Sequence, residues 1–259
     1  MSTRWRIVLE YHGAQFAGWQ VQTGQRTVQG VVEEGLNALF GEPIRVSASG
    51  RTDAGVHAEA QVASFVAPSD RRADAIRDGL NHHFPRDLSC ISAVPVDPRF
   101  HPRHWAWGKI YRYRWLDRRS RSPLRSDRSW HVRPLNAEAM HIAAQSLLGV
   151  HDFSSFRATG CAAAHPVREV VAIEVRRERD EVVLEVRGQG FLRHMVRIIA
   201  GTLTEVGRER QPVTWVREVL EARDRGSAGS TAPPHGLTLV EVHYGDGPPP
   251  WTDADLDSD

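Results

Sequence analysis

The stretch Gly50-Arg51-Thr52-Asp53-Ala54-Gly55-Val56-His57-Ala58 places one carboxylate beside one guanidinium in a turn bracketed by glycines. Runs with strand character near 44–48 and 60–66 flank it, so Asp53 is expected on a loop between two strands. Glycine on either side removes side-chain bulk and permits positive φ, which lets such a loop turn sharply and a substrate backbone come close. Arg51, two residues away, favours the ionised carboxylate. Taken alone, these residues better suit an aspartate that merely caps a turn or pairs with a surface arginine, and only context overturns that reading.

Working outward, residues 4–11 alternate as a strand with Trp5, Ile7, Leu9 and Tyr11 on one face. Thr27 then opens a helix carrying Val28, Val31, Val32, Leu36, Leu39 and Phe40 at helical spacing, and Gly41 ends it. A helix near 71–82 and a strand near 88–96 complete a β-α-β-β-α-β order in the first half. The second half reads as a strand at 107–116, a helix from Asn136 to Leu148 stopped by Gly149, and paired strands at 167–177 and 181–188. Helices at 191–206 and 212–223 and a last strand at 238–244 follow. Phe191, Met195, Ile198, Ile199, Thr202 and Val206 would form the buried stripe of the 191–206 helix, with Arg193 and Arg197 on another face. The small and turn-forming residues of 224–234 lack apolar periodicity and predict a flexible connection. From Gly245 three consecutive prolines and alternating aspartates predict a disordered acidic tail.

Further segments extend the signal of the opening stretch. Tyr11-His12-Gly13, Phe16 and Gly18-Trp19-Gln20 precede it. Phe100-His101-Pro102-Arg103, Lys109-Ile110-Tyr111-Arg112-Tyr113, His151-Asp152-Phe153-Ser154-Ser155-Phe156, Phe191-Leu192-Arg193-His194-Met195-Val196-Arg197 and Gly236-Leu237-Thr238-Leu239 follow it. Together, in this order, they resemble the tRNA pseudouridine synthase A family. Three departures stand out: His12 where relatives carry aspartate, Ala60 where glycine is frequent, and Phe84 before Pro85.

The resemblance implies an α+β pseudouridine synthase fold, two α/β halves sharing a largely antiparallel sheet with helices on one face and a central cleft. The halves would be residues 1–104, carrying the aspartate loop, and 105–245, with 246–259 as the tail. It implies isomerisation of uridine to pseudouridine in the anticodon stem-loop of tRNA, at tRNA positions 38–40, with Asp53 as the catalytic carboxylate. Tyr111 corresponds to the residue that stacks on the base, and Arg197 to an arginine near the aspartate. Arg51 would fill the gap left by the rotated nucleotide, and Leu237 would help close an apolar wall. No cofactor or metal is implied; a homodimer that grips one tRNA is.

Composition permits this reading. The 259 residues are 41% hydrophobic, enough for a core, and the net charge is +1. No apolar run approaches the roughly 20 residues of a membrane span, and the N-terminus has no signal-peptide core, so a cytoplasmic location is expected. Cys90 and Cys161 form no CxxC pair and read as reduced, ordinary thiols. Charge is segregated: Arg99 to Arg133 holds eleven Lys or Arg against two acids, interleaved with seven aromatic residues. That combination suits RNA, with guanidinium groups for phosphates and ring faces for unstacked bases. Alternation of Tyr111, Tyr113 and Trp115 assigns about half of those rings to the core instead. Truncating Arg112, Arg114 and Arg118 is expected to weaken tRNA binding.

Competing chemistries fit less well. Gly188-Gln189-Gly190 lies between a strand and a helix as a dinucleotide fingerprint does, but Arg193 occupies the third glycine position and the neighbouring strands look antiparallel. A metal hydrolase using His101, His104 and His82 or His83 lacks the acid of an HExxH motif. An RNA-binding module without turnover has no use for an anionic carboxylate beside phosphates.

Overall fold

The computed structural model describes residues 2–247, which form two compact units divided at Trp107/Gly108, with residues from Leu239 onward returning to the first. The expected acidic tail lies, from residue 248, outside the described residues.

The first unit begins with β1 (Thr3–Tyr11), whose alternation buries Trp5, Ile7, Leu9 and Tyr11. α1 (Val28–Phe40) starts where Thr27 accepts a hydrogen bond from the Gly30 N–H, and it stops at Gly41, which is left-handed at φ 78°. A two-residue strand, β2 (Ser47–Ala48), leads through the aspartate loop into β3 (His57–Ala67). α2 (Ala73–His83) and β4 (Leu88–Pro95) complete the predicted β-α-β-β-α-β order. β1 pairs antiparallel with both β3 and β4, in the register Trp5↔Phe65 and Ile7↔Ala93. Phe40 of α1 meets Phe65 edge-on, so the helices cover the face that β1 and β3 bury.

In the second unit β5 (Ala106–Leu116) turns Tyr113 and Trp115 inward at 0% exposure, while Arg112 and Arg114 stay half-buried on the other face. A short parallel partner, β6 (Trp130–His131), was not expected. α3 (Ala137–Ala144) begins at Asn136, whose side chain caps the Ala139 N–H, and tightens into a 3-10 turn over Gln145–Leu147. Gly149 ends this helical run as predicted, but it also opens a strand, β7 (Gly149–Asp152). β8 (Val167–Glu178) and β9 (Glu181–Gly188) form a hairpin, giving the order β5-β9-β8-β7, all antiparallel. β8 is three times as long as β7. Beyond its partner, α3 closes the edge: Gln145 donates to the Ile173 carbonyl, and the Val175 N–H donates to His141 Nδ1.

α4 (Met195–Gly207) starts later than its periodicity suggests, because His194 is left-handed at φ 61°. Arg193 is therefore exposed ahead of the helix, where it reaches the Gly160 carbonyl, rather than sharing a helix face with Arg197. Met195, Ile198, Ile199, Thr202 and Val206 are buried as expected, and Trp115 donates from its indole to Thr204. α5 (Trp215–Ala222) follows. Residues 224–234 are not a loose connection: Ala232 has 0% exposure, and the Gly229 N–H donates to Thr202 Oγ1. The segment packs because its small residues fit against Gly201, where a Cβ would lie 1.7 Å from the Ser230 oxygen. The last strand, β10 (Leu237–Tyr244), pairs with β3 in the first unit.

Four arginines of the basic stretch are paired with acids distant in sequence. Arg112 pairs with Glu185 at 3.0 Å, Arg114 with Glu181 at 3.2 Å, and Arg118 and Arg125 with Asp180 at 3.3 and 2.7 Å. Asp180 sits in the β8–β9 turn, and the Arg125 guanidinium holds its carboxyl down at about 2. Arg119, Arg121 and Arg128 remain exposed on the same loop, whose apex, Leu124, is 90% exposed.

Candidate active site

Asp53 lies, as predicted, in the loop between β2 and β3. Its own turn is closed by the Val56 N–H donating to the Asp53 carbonyl, with Gly55 at φ 80°. Positive φ is thus used at one of the two bracketing glycines. A second glycine requirement arises in an unexpected place. Gly18, at φ 93°, approaches so closely that a Cβ there would lie 2.7 Å from the Thr52 oxygen and 3.1 Å from the Ala54 nitrogen. The neighbouring Trp19 N–H donates to the Thr52 carbonyl, and the Gly55 N–H donates to the Phe16 carbonyl. The Phe16–Trp19 segment is a clamp on the aspartate loop.

A buried polar cluster holds the loop from beneath. Thr52 Oγ1 and Tyr11 Oη share a hydrogen bond of 2.8 Å, and burial pushes the Tyr11 phenol up to about 12 despite the hydrogen bonds to Thr52 and Gln61. Gln61 of β3 donates to the Gly50 carbonyl at 2.9 Å and accepts from Ser49 Oγ at 2.7 Å. His57, also buried, accepts from the Gly13 N–H at 3.0 Å, and its ring lies 4.6 Å from that of His12. Asp53 is half-exposed above this base, and Arg51 is exposed.

Sequence reasoning did not single out Gln61 or Ser49, and it quoted Gly18 only as part of a motif, not for its approach to the aspartate loop. The available signal was a glutamine heading the mostly apolar run Gln61–Val66, at a position where an inward side chain must find polar partners.

The other three predicted residues belong to the second unit. Tyr111 of β5 stands opposite Val186 of β9 and meets Phe191 edge-on at 5.1 Å and 84°. Arg197, in the first turn of α4, donates from Nε to the Ala232 carbonyl at 2.9 Å, and the Ala232 N–H returns to the Arg197 carbonyl at 3.0 Å. Tyr113 Oη donates to the Pro233 carbonyl in the same segment. His235 is held below its usual value by burial, with the Arg197 charge acting in the same direction. Leu237, which follows, is 6% exposed. A surface pocket of about 540 Å³ on Asn136, Glu138, His141 and Arg176 contains none of these residues.

No three His, Cys, Asp or Glu side chains gather as a metal site among the described residues, and no helix there is long and apolar enough to cross a membrane. His101 and His104 stack on each other with ring centroids 4.0 Å apart. β9, which leads into Gly188-Gln189-Gly190, pairs antiparallel with both β5 and β8, unlike the strand before a dinucleotide turn.

Chemically, the first unit offers a carboxylate on a rigid loop, and the second an aromatic ring, a tethered guanidinium and an apolar side chain. The sequence profile of a family described as tRNA pseudouridine synthase matches residues 7–104 and 143–245. Asp53, Arg51, Arg197 and Leu237 fall within those blocks, and Tyr111 falls in the interval between them. A Myxococcus xanthus protein named tRNA pseudouridine synthase A is 50% identical over 251 residues, covering 96% of this chain and 95% of the relative. Proteins of the same name from Acidiphilium cryptum and Methylobacterium nodulans are 48% and 46% identical, each covering 93% of this chain and 96% of the relative. With mixed α/β content, mostly antiparallel strand pairing and relatives at this identity over nearly its whole length, the chain belongs to the tRNA pseudouridine synthase family.

Proposed function

We propose that this protein isomerises uridine to pseudouridine in the anticodon stem-loop of tRNA, at tRNA positions 38–40, with Asp53 as the catalytic carboxylate. The observation that carries the reading is the half-exposed Asp53 on a loop fixed by Gly18, Trp19, Tyr11 and Gln61, within a chain of this family. The reaction breaks the N1–C1′ bond, turns the freed uracil and joins C5 to C1′, after which the C5 proton is lost; composition is unchanged overall. It needs an ionised carboxylate at the sugar, a surface that retains the base and a proton acceptor. Asp53 meets the first need by attacking C1′ or by removing a sugar proton. Tyr111 would stack on the base, with Leu237 closing the apolar wall. Arg197 would lie near the carboxylate, and Arg51 would occupy the space the rotated nucleotide leaves.

This assignment sets residues 1–104 as the half that carries the reacting carboxylate and 105–245 as the half that carries the base-holding side chains. The two would share one antiparallel sheet and enclose the uridine in a cleft. It also entails a cytoplasmic enzyme working without a cofactor, as a homodimer that grips the anticodon arm.

The test is incubation of purified protein with unmodified tRNA transcript, without cofactor or metal, and mapping of pseudouridine by carbodiimide primer extension, beside Asp53→Ala. Stops in the anticodon stem that vanish in the variant, with tRNA affinity retained, are expected. Near wild-type modification by Asp53→Ala in single turnover would refute the role of Asp53. Tight binding without stops in the wild type would favour a module that only binds RNA.

A further inference from the structure

The geometry points to Gln61 as the residue that positions the Asp53 loop for turnover, an inference that rests on the function proposed above. Gln61 is 0% exposed, and its side-chain amide is fully used. Nε2 donates to the Gly50 carbonyl at 2.9 Å and lies 3.5 Å from Tyr11 Oη; Oε1 accepts from Ser49 Oγ at 2.7 Å and from the Val62 N–H at 3.1 Å. Through these contacts one side chain fixes Ser49 and Gly50, where the loop begins. Through Tyr11, which shares its hydroxyl with Thr52 at 2.8 Å, it also reaches the residue directly before Asp53. No side chain of this set is the reacting group, so Gln61 acts through the loop.

Packing alone does not require an amide here. Gln61 stands opposite Leu9 in the β1–β3 register, among buried apolar side chains, and a leucine would fill much the same volume. What the amide supplies is a donor and an acceptor on one rigid plane, matched to a carbonyl and a hydroxyl of the loop. In a buried site such a network specifies one arrangement, because each group left unsatisfied is costly. A carboxylate displaced by about 1 Å from its reacting geometry loses on the order of a hundredfold in rate.

Two substitutions test this in single-turnover assays on tRNA transcript. Gln61→Leu keeps the volume and removes both polar functions: the rate constant at saturating protein is expected to fall roughly 10- to 100-fold, with tRNA affinity within about twofold. Gln61→Glu keeps the Oε1 acceptor but turns its second oxygen toward the Gly50 carbonyl. Ionised, that oxygen repels the carbonyl; protonated, it donates as the amide did. Burial raises the pKa of the introduced carboxyl, so its protonated form accumulates as pH falls. The rate of Gln61→Glu relative to wild type at the same pH should therefore rise between pH 8 and pH 6, whereas the Gln61→Leu ratio stays flat.

A wild-type rate constant in folded Gln61→Leu, or a flat ratio for Gln61→Glu, overturns the inference. If Gln61→Leu does not fold, Ser49→Ala removes one contact of the network, and an unchanged rate constant there, together with a flat Gln61→Glu ratio, has the same consequence. Absence of turnover in the wild type would instead count against the proposed function and not against the position of Gln61.

Discussion

Gly201→Ala should loosen the tether of Arg197 without touching any candidate reacting group. An added Cβ would lie 1.7 Å from the Ser230 oxygen and 2.9 Å from its carbonyl carbon, whereas ordinary contact begins at 3.4 Å. Both obstacles are backbone, so residues 229–232 must retreat by more than about 1 Å. Three hydrogen bonds depend on that segment: Gly229 N–H to Thr202 Oγ1, Ala232 N–H to the Arg197 carbonyl, and Arg197 Nε to the Ala232 carbonyl. At about 1 kcal/mol for each neutral bond and about 2 for the charged one, their loss costs about 4 kcal/mol. For a chain of this size that is a fall of about 10 °C in Tm. The assay is thermal unfolding followed by circular dichroism, with Gly24→Ala as the control. Gly24 has open space around its Cβ position but φ +72°, so its variant should lose only about 1 kcal/mol from left-handed strain. A Tm within about 3 °C of wild type for Gly201→Ala would show that the 229–232 segment is not anchored as described.

RNA binding should distinguish the two groups of arginines on and around β5. Replacing exposed Arg119, Arg121 and Arg128 together by serine is expected to lower the slope of log affinity against log salt by about 2. Arg112, Arg114 and Arg118, which the sequence alone put forward as the phosphate contacts, are already paired with Glu185, Glu181 and Asp180, so the expectation is revised: replacing them should leave the slope nearly unchanged, and the reverse result would place the phosphates on the sheet face. The two thiols should also separate. Burial raises Cys90 to about 12. At Cys161 burial opposes ionisation, but the N–H groups of Ala163 and Arg193 and the Arg157 guanidinium outweigh it and bring the thiol below its ordinary value. At pH 8 a disulfide reagent should therefore titrate Cys161 rapidly and Cys90 only after denaturation; equal rates would contradict the environments described.

Much of the architecture was legible because local rules and burial agree in it. β1 alternates cleanly, α1 is bounded by a threonine cap and a left-handed glycine, and β8 and β9 meet at a two-residue turn. The aspartate loop was located because a dense motif sits between two recognisable strands. The misreadings share one cause, which is information held by distant residues. β6 and β7 are too short to show periodicity and exist through their neighbours. The start of α4 depends on a left-handed His194, and histidine's modest tolerance of that region is too weak a signal to announce it. Residues 224–234 looked flexible because small residues carry little hydrophobic signal, yet smallness is what lets them pack on Gly201. The basic stretch looked open because its carboxylate partners lie some 55 to 73 positions away, in β8, β9 and the turn between them. Gln61 and its partners, likewise, become a network only once β1 and β3 are paired.

The edge of β8 beyond β7 limits how copies of this chain can meet. An open strand edge invites another strand, and side chains from a helix are a poor template for one. At Ile173 and Val175 the outward carbonyl and N–H are already taken by Gln145 and His141, four residues apart on consecutive turns. The β8 margin is hence a sealed seam over that length, whereas β7 ends the strand order on that side. Any contact between copies of this chain along Ile173–Val175 would accordingly run through side-chain surfaces rather than through a sheet continued across subunits.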